Sequence, residues 1–209
     1  MKTKQEKLAY LKERMKRPIR TASTICFDTE TTGTNPQRNG IVDLGIVDGD
    51  GQKLFRALIN PGDVEWSDGA SRVNGIYKKD VAEALSMDDY RPALQKIFSA
   101  ADRVVGYNVS FDIKFIEAAG LKLKPDVEIV DIMPFYSYVV GEWNPHFHDY
   151  KYQKLTKCAE AYHYQWVGKA HGALADALAT LYCWPRVMKD YEEQQKKRGA
   201  SGKPESPKL

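Results

Sequence analysis

The spacing of apolar residues changes period partway along this chain, and that change limits the folds open to it. Residues 23–28 are apolar or β-branched and read as a first strand, and 41–47 read as a second. Asp48-Gly49-Asp50-Gly51 is a hairpin turn signal, and 53–60 read as a third strand that Pro61-Gly62 stops. Helical spacing then takes over, with Met87, Leu94, Ile97 and Phe98 on one side of 86–101. Short strands are expected at 103–106 and 127–130. Helices are expected at 111–119, where Gly120 is placed to cap the end, and from about 131. Another helix falls near 154–162, and the last runs from 173 to about 189, with Pro185 kinking or shortening it. Three hairpin-type strands followed by two strands flanked by helices predict an α/β fold, a mixed five-stranded sheet with helices on its faces.

Both ends look different from the body. Residues 3–17 carry Leu8, Leu11 and Met15 at i, i+3 and i+7, a narrow apolar stripe that Pro18 ends. Residues 1–20 have a net charge of +6, residues 189–209 of +2, and 21–188 between them of −5. The expected organisation is a basic amphipathic helix over 1–20, one domain over 21–189, and a disordered tail over 190–209, rich in charge with Gly, Ser and Pro. The N-terminal helix suits packing on the domain or docking on a partner protein, although charge runs are also commonly just solvated. No apolar run approaches the ~20 residues that span a bilayer. The charged start lacks a signal-peptide core, so a cytoplasmic protein with no membrane contact is expected. Cys26, Cys158 and Cys183 sit among apolar neighbours and read as reduced core thiols.

Acidic residues punctuate the strand and helix starts. Asp28 and Glu30, two apart on a strand, leave the same face, while Phe27 and Thr29 point the other way. Two acids on one face repel unless a cation bridges them, and such crowding raises their pKa values. On its own, Asp-x-Glu also suits a solvent-facing strand end. Asp112 falls in the first turn of a helix that Asn108 or Ser110 caps, where the helix dipole alone favours a carboxylate. His171 and Asp176 are five apart and on one continuous helix would diverge by ~140°. They converge only if His171 precedes the helix, with Gly172 supplying the break. A histidine there suits a general base, because its charge changes near neutral pH.

The segments Asp28-Thr29-Glu30-Thr31-Thr32-Gly33, Asn108-Val109-Ser110-Phe111-Asp112 and His171-Gly172-Ala173-Leu174-Ala175-Asp176, in this order, resemble the DEDDh branch of the DnaQ-like 3′→5′ exonucleases. The likeness is to the DNA polymerase III epsilon-type domains among others and covers about 22–188. It implies a ribonuclease H-like fold and two divalent cations, Mg²⁺ or Mn²⁺, held by Asp28, Glu30, Asp112 and Asp176. It also implies hydrolysis of single-stranded 3′ ends to nucleoside 5′-monophosphates, with His171 taking the proton of the attacking water. All-oxygen ligands suit such hard cations better than Zn²⁺. DNA is favoured as substrate and RNA stays open, as does a catalytically weak module that binds nucleic acid or a polymerase. The resemblance places the backbone near Thr31 and Thr32 at the terminal sugar and gives Asn108 a role in orienting substrate or loop. Tyr107 stands where a His is frequent, and Asn74 replaces His in a His-Gly-Ile segment. Ile76 is there a wedge against the terminal base or ordinary core packing. The aromatic loop 141–152 reads as a base-stacking surface or a lid, and His146-Phe147-His148 within it as a weak metal pair.

Overall fold

A computed structural model describes residues 3–15, 18–167 and 171–199. Five strands form one sheet: β1 (Thr24–Thr31), β2 (Ile41–Asp48), β3 (Lys53–Leu58), β4 (Arg103–Gly106) and β5 (Glu128–Asp131). Their order is β3-β2-β1-β4-β5. The hairpin-linked β1, β2 and β3 are antiparallel, while β4 runs parallel to β1 and β5 to β4. The mixed five-stranded α/β sheet expected from the period change is therefore present.

The helices are α1 (Lys4–Met15), α2 (Asp68–Asn74), α3 (Lys78–Val81), α4 (Met87–Ala100), α5 (Val109–Ala118), α6 (Ile132–Val140), α7 (Leu155–Ala161) and α8 (Ala173–Gly199). Strand alternation sends Ile25 and Phe27 to one face, where they pack with Leu94, Ile97 and Phe98 of α4 and Phe115 and Ile116 of α5. Cys26 and Val47 face the other way and pack with Ile132 and Tyr136 of α6, Cys158 of α7 and Ala177 and Cys183 of α8. All three cysteines are free and buried, as their apolar neighbours suggested.

Three regions depart from the sequence reading. The last helix continues through Pro185 to Gly199, so 190–199 are helical, while 200–209 lie outside the described residues. The cause is packing on α6: Tyr191 meets Phe135 and Tyr138 edge-on at 4.9 and 5.0 Å, and Gln194 Nε2 donates to the Val139 carbonyl at 2.8 Å. The segment 141–152 is not irregular throughout, because β6 (Trp143–Asn144) and β7 (Asp149–Tyr150) pair as an antiparallel ribbon. Trp143 and Tyr150 meet edge-on across it. The short α2 and α3 were not anticipated, since neither is long enough to show a stripe. Among the described residues, no helix is long and apolar enough to cross a membrane.

Candidate active site

β1 carries the first two acids to the edge of the core. Its first residues are sealed, and from Asp28 onward even-numbered side chains turn toward the face that α8 covers. Gly45 lies opposite Asp28 on β2. A Cβ there would fall 2.3 Å from Leu174 N and 2.6 Å from the Ala173 carbonyl carbon. The missing side chain thus lets the first turn of α8 rest directly on the sheet beside Asp28. That seating delivers Asp176, so that Asp28, Glu30 and Asp176 each place a carboxylate oxygen within 4.8 Å of the others. Among the described residues this is the group of ligand-type side chains close enough to share an ion, and His146 and His148 form no such group.

Asp112 reaches the same region from the other side of β1. It is buried, and its Oδ1 accepts from Thr29 N at 2.9 Å and Thr29 Oγ1 at 2.6 Å. The opposite-face alternation of Thr29 therefore serves to hold the fourth acid. Asp112 lies near enough that its charge acts on Asp28 more strongly than any other. Asn108 precedes α5 in a left-handed conformation (φ 59°) and makes no side-chain cap. Its N–H donates instead to Asp131 Oδ1 at 2.8 Å, which also accepts from Met133 N, so one carboxylate ties the start of α5 to the start of α6.

His171 stands before α8, as convergence with Asp176 requires. Both His171 and Gly172 lie outside the helix, and His171 is the one in a left-handed conformation, with φ 62°. Its N–H donates to Asp176 Oδ1 at 3.1 Å, and its side chain is exposed toward solvent.

The electrostatics are those of a site short of positive charge. Burial, then the charges of Asp112, Asp176, Glu30 and Asp43, push Asp28 well above the usual carboxylate range. Glu30 is pushed up to about 8 by burial and by Asp176, Asp43 and Asp112, against a lowering hydrogen bond from Asn74. Burial lifts Asp112 to about 7 against its Thr29 bonds, and Asp176 to about 6 against its bond from His171. Asp28 and Glu30 stay partly open to solvent, which an entering ion needs. An all-carboxylate set, partly accessible and mutually repelling, fits a hard divalent cation.

A cavity of about 650 Å³ opens beside Glu30, lined by Thr31, Trp66, Val73, Asn74 and Phe111 among others. Thr31 lines it, but its hydroxyl is spent on the Gly33 carbonyl. Thr32 does not line it, and its hydroxyl donates to the Glu65 carbonyl while its backbone pairs with Gly40 and Ser67. Ile76 packs with Val42, Val81 and Ala84, and the aliphatic wall of the cavity is the exposed Val73. Gly33 gives close approach, not a left-handed turn: a Cβ there would strike the Asn39 amide. Asn74, read from sequence only as a departure from a pattern, is buried and central. Its Nδ2 donates to the Thr31 carbonyl at 3.1 Å, its Oδ1 accepts from Ile76 N, and its amide lies near enough to Glu30 to favour the charged carboxylate.

The family model RNase_T, described as Exonuclease, matches residues 25–183, from β1 to the middle of α8. The chain belongs to this family of DnaQ-like 3′→5′ exonucleases. Every acid described above lies within the matched span. Over 178 residues the exonuclease is 30% identical to the DNA polymerase III PolC-type of Listeria welshimeri, covering 82% of this chain and 12% of that one. It therefore spans about an eighth of the length of such relatives. An uncharacterized exonuclease, CP81 of Escherichia phage 186, is 29% identical over 75% of this chain and 84% of its own. Among solved structures, exonuclease X in complex with 5′ overhanging duplex DNA superposes with a TM-score of 0.59 at 23% identity, covering 79% and 91% of the two chains. Escherichia coli exonuclease I in complex with a dA16 oligonucleotide gives 0.60 at 18%, covering 79% and 42%. These two similarities establish the ribonuclease H-like fold of the exonuclease.

Proposed function

We propose that this exonuclease hydrolyses single-stranded 3′ ends, DNA in preference to RNA, and releases nucleoside 5′-monophosphates with two divalent cations, Mg²⁺ or Mn²⁺. The observation that carries the reading is the trio Asp28, Glu30 and Asp176, mutually within 4.8 Å and with raised pKa values. These three and Asp112 would hold the cations. When bound, the cations would neutralise charge on the scissile phosphate and make the attacking water more acidic.

The chain's own groups divide the remaining work. An imidazole nitrogen of His171 takes a proton from the water that attacks phosphorus, and the bond from phosphorus to the preceding 3′ oxygen breaks. The exposed position of His171 before α8 leaves it free to approach the acids. Thr29 holds Asp112 at the back of the site, and Asn74 aims Glu30. The cavity beside Glu30 receives the terminal nucleoside, with Phe111 and Val73 as its apolar walls. Asn108, at the exposed start of α5, orients the strand or the loop beneath it. We read 21–189 as the catalytic domain of a cytoplasmic protein, and α1 as a docking helix for a polymerase or another protein. The PolC-type relatives favour a polymerase.

Incubation of 3′-labelled single-stranded DNA and RNA with Mg²⁺ tests the reading. Labelled mononucleotide should appear, faster from DNA, and EDTA should stop it. Faster release from RNA would reassign the exonuclease to RNA trimming. Binding of either strand without release would make it a binding module.

A further inference from the structure

The acids of the site number more than the sequence pattern named. Asp43 on β2 is the direct cross-strand partner of Glu30, so the two side chains share the face that α8 covers. It is 1% exposed, and its Oδ1 has no hydrogen-bond partner. Oδ2 meets Arg56 Nη2 of β3 at 3.5 Å, but Arg56 is itself half exposed, so its compensation is partial. Burial pushes its pKa above the ordinary carboxylate value, against the lowering influence of Arg56 and of the nearby N–H groups of Ala173 and Leu44. Its charge is felt at both Asp28 and Glu30. A buried carboxylate oxygen left unpaired is costly, and a hydrocarbon side chain would fill the same space without that cost. The charge therefore needs a use, and the groups within its reach are Glu30, Asp28 and the seat of α8.

We propose that Asp43 is an outer acid of the cation site, a positioning residue that ligates no ion itself. Its only partly compensated charge deepens the negative potential that attracts divalent cations to Glu30 and Asp176. Arg56 works in the opposite sense, damping that potential from the outer side. The inference rests on the reading that Asp28, Glu30 and Asp176 hold a divalent cation.

Titration of the full chain with Mn²⁺ in the absence of nucleic acid tests it, followed by calorimetry and by the electron paramagnetic resonance of free Mn²⁺. Asp43→Asn keeps the shape and removes the charge. It should bind Mn²⁺ at least about tenfold more weakly than the native chain, the usual scale for outer partners of a metal site. Its cation-free melting temperature should not fall. Arg56→Gln should bind Mn²⁺ as tightly as the native chain or more tightly. Two results would overturn the inference: Asp43→Asn binding within twofold of the native chain, or equal weakening in both variants, the mark of a purely structural ion pair. A native chain that binds no Mn²⁺ would sink the underlying cation reading, and this inference with it.

Discussion

The two halves of β1 share one strand and one sheet neighbourhood, yet their chemistry is opposite. Ile25, Cys26 and Phe27 are sealed in the core and satisfied by packing, with the Cys26 thiol donating to the Ala177 carbonyl at 3.2 Å. Asp28 and Glu30, one step further, sit among other acids, with pKa values raised by burial and mutual repulsion. The first half lowers the free energy of the folded chain, whereas the second raises it unless something positive arrives. Stability and function are thus written in consecutive residues, and substitutions in the two halves should have effects of different kind.

The largest contrast should come from Asp28→Asn set beside Phe27→Ala. Asp28→Asn should cut nuclease turnover on the order of a thousandfold and leave the melting temperature of the cation-free protein unchanged or higher, because repulsion is relieved. Phe27→Ala should cost about 3–5 kcal/mol in denaturant unfolding, with per-molecule activity surviving in the folded fraction. If Asp28→Asn destabilised the cation-free chain as Phe27→Ala does, the contrast would be broken.

Gly45→Ala should come next. The new methyl would collide with backbone of α8 rather than with a flexible side chain. We expect about 1–3 kcal/mol of destabilisation and roughly hundredfold lower turnover, since both His171 and Asp176 ride on that helix. Normal turnover in Gly45→Ala would show that the seating of α8 does not govern the acids. Asn74→Ala should be milder, about tenfold lower in turnover, from losing its influence on Glu30 together with its bonds to the Thr31 carbonyl and Ile76 N. An effect confined to stability would demote Asn74 to a loop brace.

The pH dependence of stability without cations probes the same acids with no substitution at all. Glu30 in the folded chain is raised from 4.5 to about 8. The folded state therefore keeps a proton that the unfolded chain releases. The stability this provides is complete below about 4.5 and lost as pH rises toward about 8. In EDTA, the melting temperature should fall between about pH 5 and pH 8, and Mg²⁺ should flatten the slope. Identical slopes with and without Mg²⁺ would mean that the acids do not meet the ion.

Much of this was legible in the sequence because it rests on local spacing. Period-2 runs gave β1 to β3, and acids two apart on a strand had to share a face. The five-residue gap between His171 and Asp176 demanded a break before the helix, although the left-handed residue is His171 and not Gly172. What stayed hidden depends on distant partners. Gly45 reads as an ordinary strand glycine until α8 lands on it. The helical character of 190–199 comes from Tyr191 and Gln194 meeting α6, which no local propensity contains. Asn74 and Asp43 were unremarkable by type and matter only because folding sets them against Glu30.

The most direct test of the central claim is the anomalous scattering of crystals grown with Mn²⁺ and a short single-stranded oligonucleotide. Mn²⁺ peaks should be bounded by Asp28, Glu30 and Asp176, with the 3′ end of the strand in the cavity beside Glu30. Peaks elsewhere on the molecule, with these carboxylates paired to basic side chains, would contradict it.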